Sequence, residues 1–141
     1  MSKTKVGIIN VTGYAGVEQA RLLSQHPAVE LASVTGRSAA GQRLGDVFPH
    51  LASLDLTIEA ELEEVELAFS AMPHKESAEV IIPLLRDDTK VVDISVDFRL
   101  TDAAEYPRWY SFAHPAPQLL EQVVYGLPEL YRSDVASAQL V

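Results

Sequence analysis

The sequence predicts an α/β fold, a doubly wound parallel sheet with helices on both faces. Three observations predict it. Short apolar runs at residues 6–9, 29–35, 65–71 and 90–95 are separated by helical patterns or loops, the alternation expected of parallel strands joined by crossovers. The first run breaks into the glycine turn Asn10-Val11-Thr12-Gly13-Tyr14-Ala15-Gly16, which opens a helix. The later runs end in Gly36-Arg37-Ser38, in Met72-Pro73-His74-Lys75 and in Ser95-Val96-Asp97-Phe98-Arg99. All these turns fall at the carboxyl ends of strands, the edge at which such sheets bind ligands.

Composition bounds the reading. A chain of 141 residues with 48% hydrophobic and 22% charged residues is expected to form one domain, 1–141, with a real core. No apolar run approaches the ~20 residues of a membrane span. Met1-Ser2-Lys3-Thr4-Lys5 runs straight into a strand rather than a signal peptide, so the expected location is cytoplasmic. A formal charge of −9 without a basic patch argues against nucleic-acid and membrane-surface partners. With no cysteine in the chain, disulfides, thiolate metal sites and thiol nucleophiles are excluded within these residues, and no metal site is predicted.

In the glycine turn, unpaired N–H groups at the start of the helix, reinforced by its dipole, suit a phosphate. Gly13 lets the backbone approach that phosphate, and Gly16 lets the helix lie near the strand. The spacing G-x-G-x-x-G is replaced here by N-x-x-G-x-x-G, with Asn10 in the first turn position, where it tolerates a positive φ. Val17, Ala20 and Leu23 continue the helix until Ser24-Gln25-His26-Pro27 stops it, with His26 complementing the helix dipole. After the second strand, a site for NAD places an acidic residue about 20 residues past the turn. Here stand Gly36, Arg37 and Ser38. An arginine and a serine suit the additional 2′-phosphate of NADP instead.

Residues 39–50 form a long loop able to fold over an adenosine, followed by a weak strand at 54–58 and an acidic, solvated run at 59–64. Pro73 and His74 leave the strand at 65–71, and His74 stands open to a structural or a ligand-contacting role. Ala78, Ile81, Ile82 and Leu85 form a helical stripe in which Pro83 should kink or restart the helix. Ser95, Asp97 and Arg99 follow the next strand. Thr101-Asp102 can cap a short helix, after which Trp109, Tyr110 and Phe112 are expected to pack. A tight turn at 125–130 leads into another short helix. Residues 138–141 begin one more strand, and the expectation is of a longer protein of which this is a fragment.

With these positions in hand, the chain resembles the N-terminal part of the N-acetyl-γ-glutamyl-phosphate reductase family nearly end to end. The likeness rests on four stretches. They are the turn from Asn10 to Gly16; Thr35 to Gly41 with Val47-Phe48-Pro49-His50-Leu51; Asp93 to Leu100; and Trp109-Tyr110 through His114-Pro115-Ala116-Pro117 to Val124-Tyr125-Gly126-Leu127-Pro128-Glu129. Asn10 departs from the family's first glycine. The resemblance implies a Rossmann-type fold truncated before a catalytic and dimerisation domain. It also implies NADPH-dependent reduction of N-acetyl-γ-glutamyl phosphate to the semialdehyde in arginine biosynthesis, with phosphate released. A cysteine in an N-P-G-C segment beyond Val141 would attack the acyl phosphate, and NADPH would reduce the thioester.

By the same resemblance Thr12, Gly13, Tyr14, Ala15 and Gly16 hold the pyrophosphate, Gly36, Arg37 and Ser38 hold the 2′-phosphate, and Pro73 lines the nicotinamide side. Arg99 is either a ligand for the phosphate of a small-molecule acyl-phosphate substrate or the partner of Asp97 or Asp102 in an ion pair. No residue of this chain is implied as the nucleophile, and the full-length protein is expected to be a homo-oligomer. Two alternatives stay open. One is a reductase of carrier-protein-linked aminoadipyl or glutamyl phosphate, which shares the S-G-Y-A variant. The other is a non-catalytic NADP-sensing or interaction module. The reading frame past Val141 separates the enzyme from the module.

Overall fold

Strand β1 (Thr4–Ile9) is the hydrophobic centre of the first half of the chain, with Val6 and Ile8 fully buried. A strand apolar on both faces must be covered on both, as a central parallel strand is. The computed structural model describes residues 2–141, which form two units, one through Ala71 and one from Met72 to Val141.

In the first unit β1 pairs in parallel with β2 (Val29–Thr35) and with β4 (Leu67–Ser70), while the two-residue β3 (Ile58–Glu59) pairs in parallel with β2. The strand order within the unit is therefore β3-β2-β1-β4. Helix α1 (Tyr14–Ser24) makes the crossover from β1 to β2. The core gathers Ile8, Val11, Ala20, Leu31, Val34, Leu44, Leu51 and Ile58. Burying such side chains stabilises by roughly 1.5–3 kcal/mol each, which offsets much of the chain's ordering entropy. This is the parallel α/β, Rossmann-like architecture that the sequence predicts.

The loop after β2 is more ordered than its composition suggests. It contains α2 (Leu44–Val47) and a 3-10 helix (Pro49–Leu54), and Leu44 and Leu51 pin both into the core. Gly41 turns the chain with φ +87°, a conformation that costs glycine least. Gly45 packs on Ala52, where an added Cβ would stand 2.7 Å from the Ala52 Cα. The weak strand expected at 54–58 is reduced to β3, because Gln42 and Gly41 take the backbone bonds of Ile58.

The second unit holds α3 (Ser77–Arg86), β5 (Lys90–Asp93), α4 (Glu105–Tyr110), a 3-10 helix (Pro117–Gln122) and α5 (Pro128–Ser137). Pro83 neither ends nor restarts α3. It stands on the exposed face, as does Glu79, whose carbonyl loses its helical donor and can turn to water. Leu140 bridges Val91 in parallel, and Val141 donates to the Val91 carbonyl, so the expected additional strand begins here. Of the aromatics near α4, Tyr106 is fully buried and Trp109 is 63% exposed. The packing role expected of Trp109 therefore falls to Tyr106, whose ring neighbours Tyr110 and Phe112.

Candidate cofactor and substrate sites

The glycine turn is fastened at the carboxyl ends of three strands. Asn10 adopts φ 66°, the left-handed conformation that asparagine accepts more readily than other non-glycine residues. Its backbone N–H donates to Thr35 Oγ1 at 3.2 Å and its Nδ2 donates to the Ala71 carbonyl at 3.0 Å. The Val11 N–H donates to the Thr35 carbonyl at 2.8 Å, and Thr12 Oγ1 lies 3.4 Å from Asn10 Oδ1.

Gly13 is the N-cap of α1, with no side-chain cap bond and no acidic residue in the first turn. The N–H groups of the first turn and the positive end of the dipole therefore face outward without an internal anion. Tyr14 and Ala15 are exposed there, Tyr14 almost completely at 98%. Gly13 and Gly16 differ in what surrounds them. A Cβ on Gly16 would fall 2.2 Å from the Asn10 carbonyl oxygen, whereas one on Gly13 would meet only Asn10 Nδ2 at 3.6 Å. Gly16 thus permits the helix to lie on the turn, and Gly13 leaves an open cradle. Gly36 adjoins the same place, since a Cβ there would be 2.9 Å from Thr12 Cγ2. The fold brings Thr12 to Gly16 together with Gly36, and the exposed Arg37 and Ser38 follow directly. An open backbone cradle of this kind can receive a phosphate group.

Pro73 and Arg99 belong to the second unit. The Pro73 carbonyl accepts from Glu76 and Ser77, forming a turn in which Lys75 has φ 72°. Arg99 is exposed, and its guanidinium reaches the Ser95 carbonyl at 3.5 Å. Neither of the ion pairs open to it, with Asp97 or with Asp102, forms. Asp97 is buried and accepts the backbone N–H groups of Lys75 and Ala78, and Asp102 accepts that of Ala104. Arg99 instead lines a cavity of about 420 Å³ together with Asp93, Ser95, Phe98, Tyr125 and Val141. Burial pushes the Asp93 carboxyl above its usual value, against the bonds it accepts from Ser95 and Ser77, and the charge of Asp97 adds to the rise.

Sequence reading missed the network behind this cavity. Ser77 Oγ donates to Asp93 Oδ1 at 2.8 Å, Ser95 Oγ to Asp93 Oδ2 at 2.7 Å, and the Asp97 N–H to Ser95 Oγ at 3.0 Å. The short spacing Asp93, Ser95, Asp97 was its only local signal. His114 was also read only as part of a motif. Its ring lies 5.2 Å from that of Phe98 and 4.9 Å from that of Tyr106, and its Nδ1 accepts the Ala116 N–H at 3.1 Å. Burial lowers its pKa, favouring the neutral imidazole.

A parallel α/β unit with an open glycine turn at its strand ends is the architecture of a dinucleotide-binding domain. The family model for the semialdehyde dehydrogenase NAD-binding domain matches residues 5–138. The chain belongs to that family. The N-acetyl-gamma-glutamyl-phosphate reductases of Dehalococcoides mccartyi and Rhodobacter capsulatus are 61% and 45% identical to it, over 100% and 96% of this chain. The chain spans 42% and 41% of the lengths of those two relatives. Among solved structures, aspartate semialdehyde dehydrogenase with NADP from Candida albicans aligns with a TM-score of 0.61 and 22% identity, over 70% of this chain and 31% of that one. Aspartate semialdehyde dehydrogenase II from Vibrio cholerae, complexed with ASA, aligns with a TM-score of 0.60 and 11% identity, over 99% and 41%. At these identities the likeness shows the fold. Among the described residues no helix is long and apolar enough to cross a membrane.

Proposed function

We propose that this chain is the cofactor-binding part of an NADPH-dependent N-acetyl-γ-glutamyl-phosphate reductase, which forms the semialdehyde and releases phosphate in arginine biosynthesis. The observation that carries the reading is 61% identity to a reductase of that name across the whole chain. The open glycine cradle supports it. In this reading the backbone from Thr12 to Gly16 binds the pyrophosphate, and Gly36, Arg37 and Ser38 bind the 2′-phosphate and favour NADP over NAD. Pro73 lines the nicotinamide side, and Arg99 receives the phosphate of the acyl-phosphate substrate. NADPH, when bound, supplies the hydride. The chain's own residues bind and orient; the arginine fork neutralises charge on a phosphoryl group without exchanging a proton.

The nucleophile of this chemistry would be a cysteine thiolate. None of the 141 residues is cysteine, so we place it in the part of the relatives' length that this chain does not span. The whole enzyme is proposed to work in the cytoplasm as a homo-oligomer. The test is the reverse reaction, NADP reduction with N-acetylglutamate semialdehyde and phosphate, run on this chain and on the protein of the full reading frame. The longer protein should turn over and this chain should not. Comparable turnover by both, or none by the longer protein, would contradict the reading.

A further inference from the structure

We infer that Asp97 is a positioning residue that ties the Pro73 turn to the Arg99 turn and so sets where the substrate phosphate is held. This rests on the proposed role of Arg99. Asp97 has no exposed surface, and both of its carboxylate oxygens accept backbone N–H groups. Oδ1 accepts the Lys75 N–H at 2.8 Å and Oδ2 accepts the Ala78 N–H at 2.9 Å. One carboxylate thus grips both the turn after Pro73 and the first residues of α3, where it also meets the positive end of the helix dipole.

The other side of the clamp is the residue's own backbone. Its N–H donates to Ser95 Oγ, Ser95 donates to Asp93, and Asp93 accepts in turn from Ser77 on α3. The loop from Ser95 to Arg99 and the segment from Pro73 to Ala78 are therefore joined twice, through Asp97 and through Asp93. Arg99 lies two residues beyond the clamp, on the wall of the cavity. Lys75 holds a positive φ of 72°, which its N–H bond to Asp97 helps to fix. A buried charge with two backbone donors costs less to bury than an unpaired one, yet it constrains both donors closely. Such a clamp suits a site in which a nicotinamide and a phosphate must be held in one geometry, where a displacement of 1 Å can cost about a hundredfold in rate.

Asp97→Asn tests it. The amide keeps the shape but turns an NH2 group toward one of the two backbone donors. In the protein of the full reading frame, assayed by NADP reduction with semialdehyde and inorganic phosphate, the variant should raise the KM for phosphate about tenfold or more and lower kcat. Binding of 2′,5′-ADP, which engages only the adenosine side, should stay as in the wild type. In an Arg99→Ala background, Asp97→Asn should add no further rise in the phosphate KM, because it acts through that arginine.

A loss of kcat in proportion to the folded fraction, with KM unchanged, would overturn the inference, and so would additive effects in the double variant. If Asp97→Asn does not fold, Ser95→Ala keeps both carboxylates and frees the Asp97 N–H. It should raise the phosphate KM in the same sense, and an unchanged KM would contradict the clamp. A wild-type protein that fails to reduce NADP would contradict the proposed function instead.

Discussion

Two glycines three residues apart in one turn do different work. Gly16 is required by the protein itself, because a Cβ would stand 2.2 Å from a backbone oxygen and 2.7 Å from the Val11 Cα. Gly13 is required by nothing the protein touches more closely than 3.6 Å. Gly16→Val should therefore lower stability by about 1–3 kcal/mol or more through overpacking, read as the urea midpoint. Gly13→Val should lower that midpoint only by the loss of a favoured N-cap residue, about 1 kcal/mol, and should weaken NADPH and NADH alike, since a branched side chain would occupy the cradle. Unchanged binding in Gly13→Val would place the phosphates elsewhere. The positive φ at Asn10 was legible in the sequence because the position needs a left-handed residue and asparagine follows glycine in tolerating it. Its side-chain bond to the Ala71 carbonyl was not, since the partner stands 61 residues away.

At the scale of elements, period and punctuation foretold the main strands, α1, α3 and the helix after the 125–130 turn, while tertiary contacts decided the rest. The loop at 39–57 lacks a helical period, yet Leu44 and Leu51 order it by burial. Pro83 is expected from the sequence to kink or restart α3, but on the exposed face it leaves the helix continuous from Ser77 to Arg86. Around α4 the sequence showed an aromatic cluster without showing which ring is inside. Tyr106 is the buried one, and burial raises its pKa; its hydroxyl accepts from the Leu100 N–H and lies 3.3 Å from the Leu100 carbonyl.

His114, packed on Tyr106 and Phe98, gives this region a pH dependence. Burial holds its folded pKa below the ordinary 6.5, so the folded state binds fewer protons than the unfolded state as pH falls. Its contribution is full above 6.5 and is lost as pH drops through the depressed folded value. Wild type should lose more stability between pH 7.5 and pH 5 than His114→Gln does, read as urea midpoints. An equal loss would remove His114 from the account.

Over the whole molecule, the two units carry different halves of the proposed chemistry. The first holds the residues proposed for the dinucleotide, Thr12 to Gly16 and Gly36 to Ser38; the strand, turn and helix that carry Thr12 to Gly16 were legible because they lie together in sequence. The second supplies Pro73, Arg99 and the cavity. There the contacts that fix these residues could not be read locally, because Asp97 reaches partners 22 and 19 residues away. The net charge of −9 makes local cations matter more for an anionic cofactor. Arg37 and Ser38 stand where an acidic residue would otherwise select NAD.

The most direct test of the account is calorimetric titration of NADPH and NADH into this chain and into Arg37→Ala. Wild type should prefer NADPH. The variant should lose about 1.5–3 kcal/mol toward NADPH, the range for a charged hydrogen bond, and almost nothing toward NADH. Equal losses for the two cofactors, or a wild type that prefers NADH, would contradict the assignment.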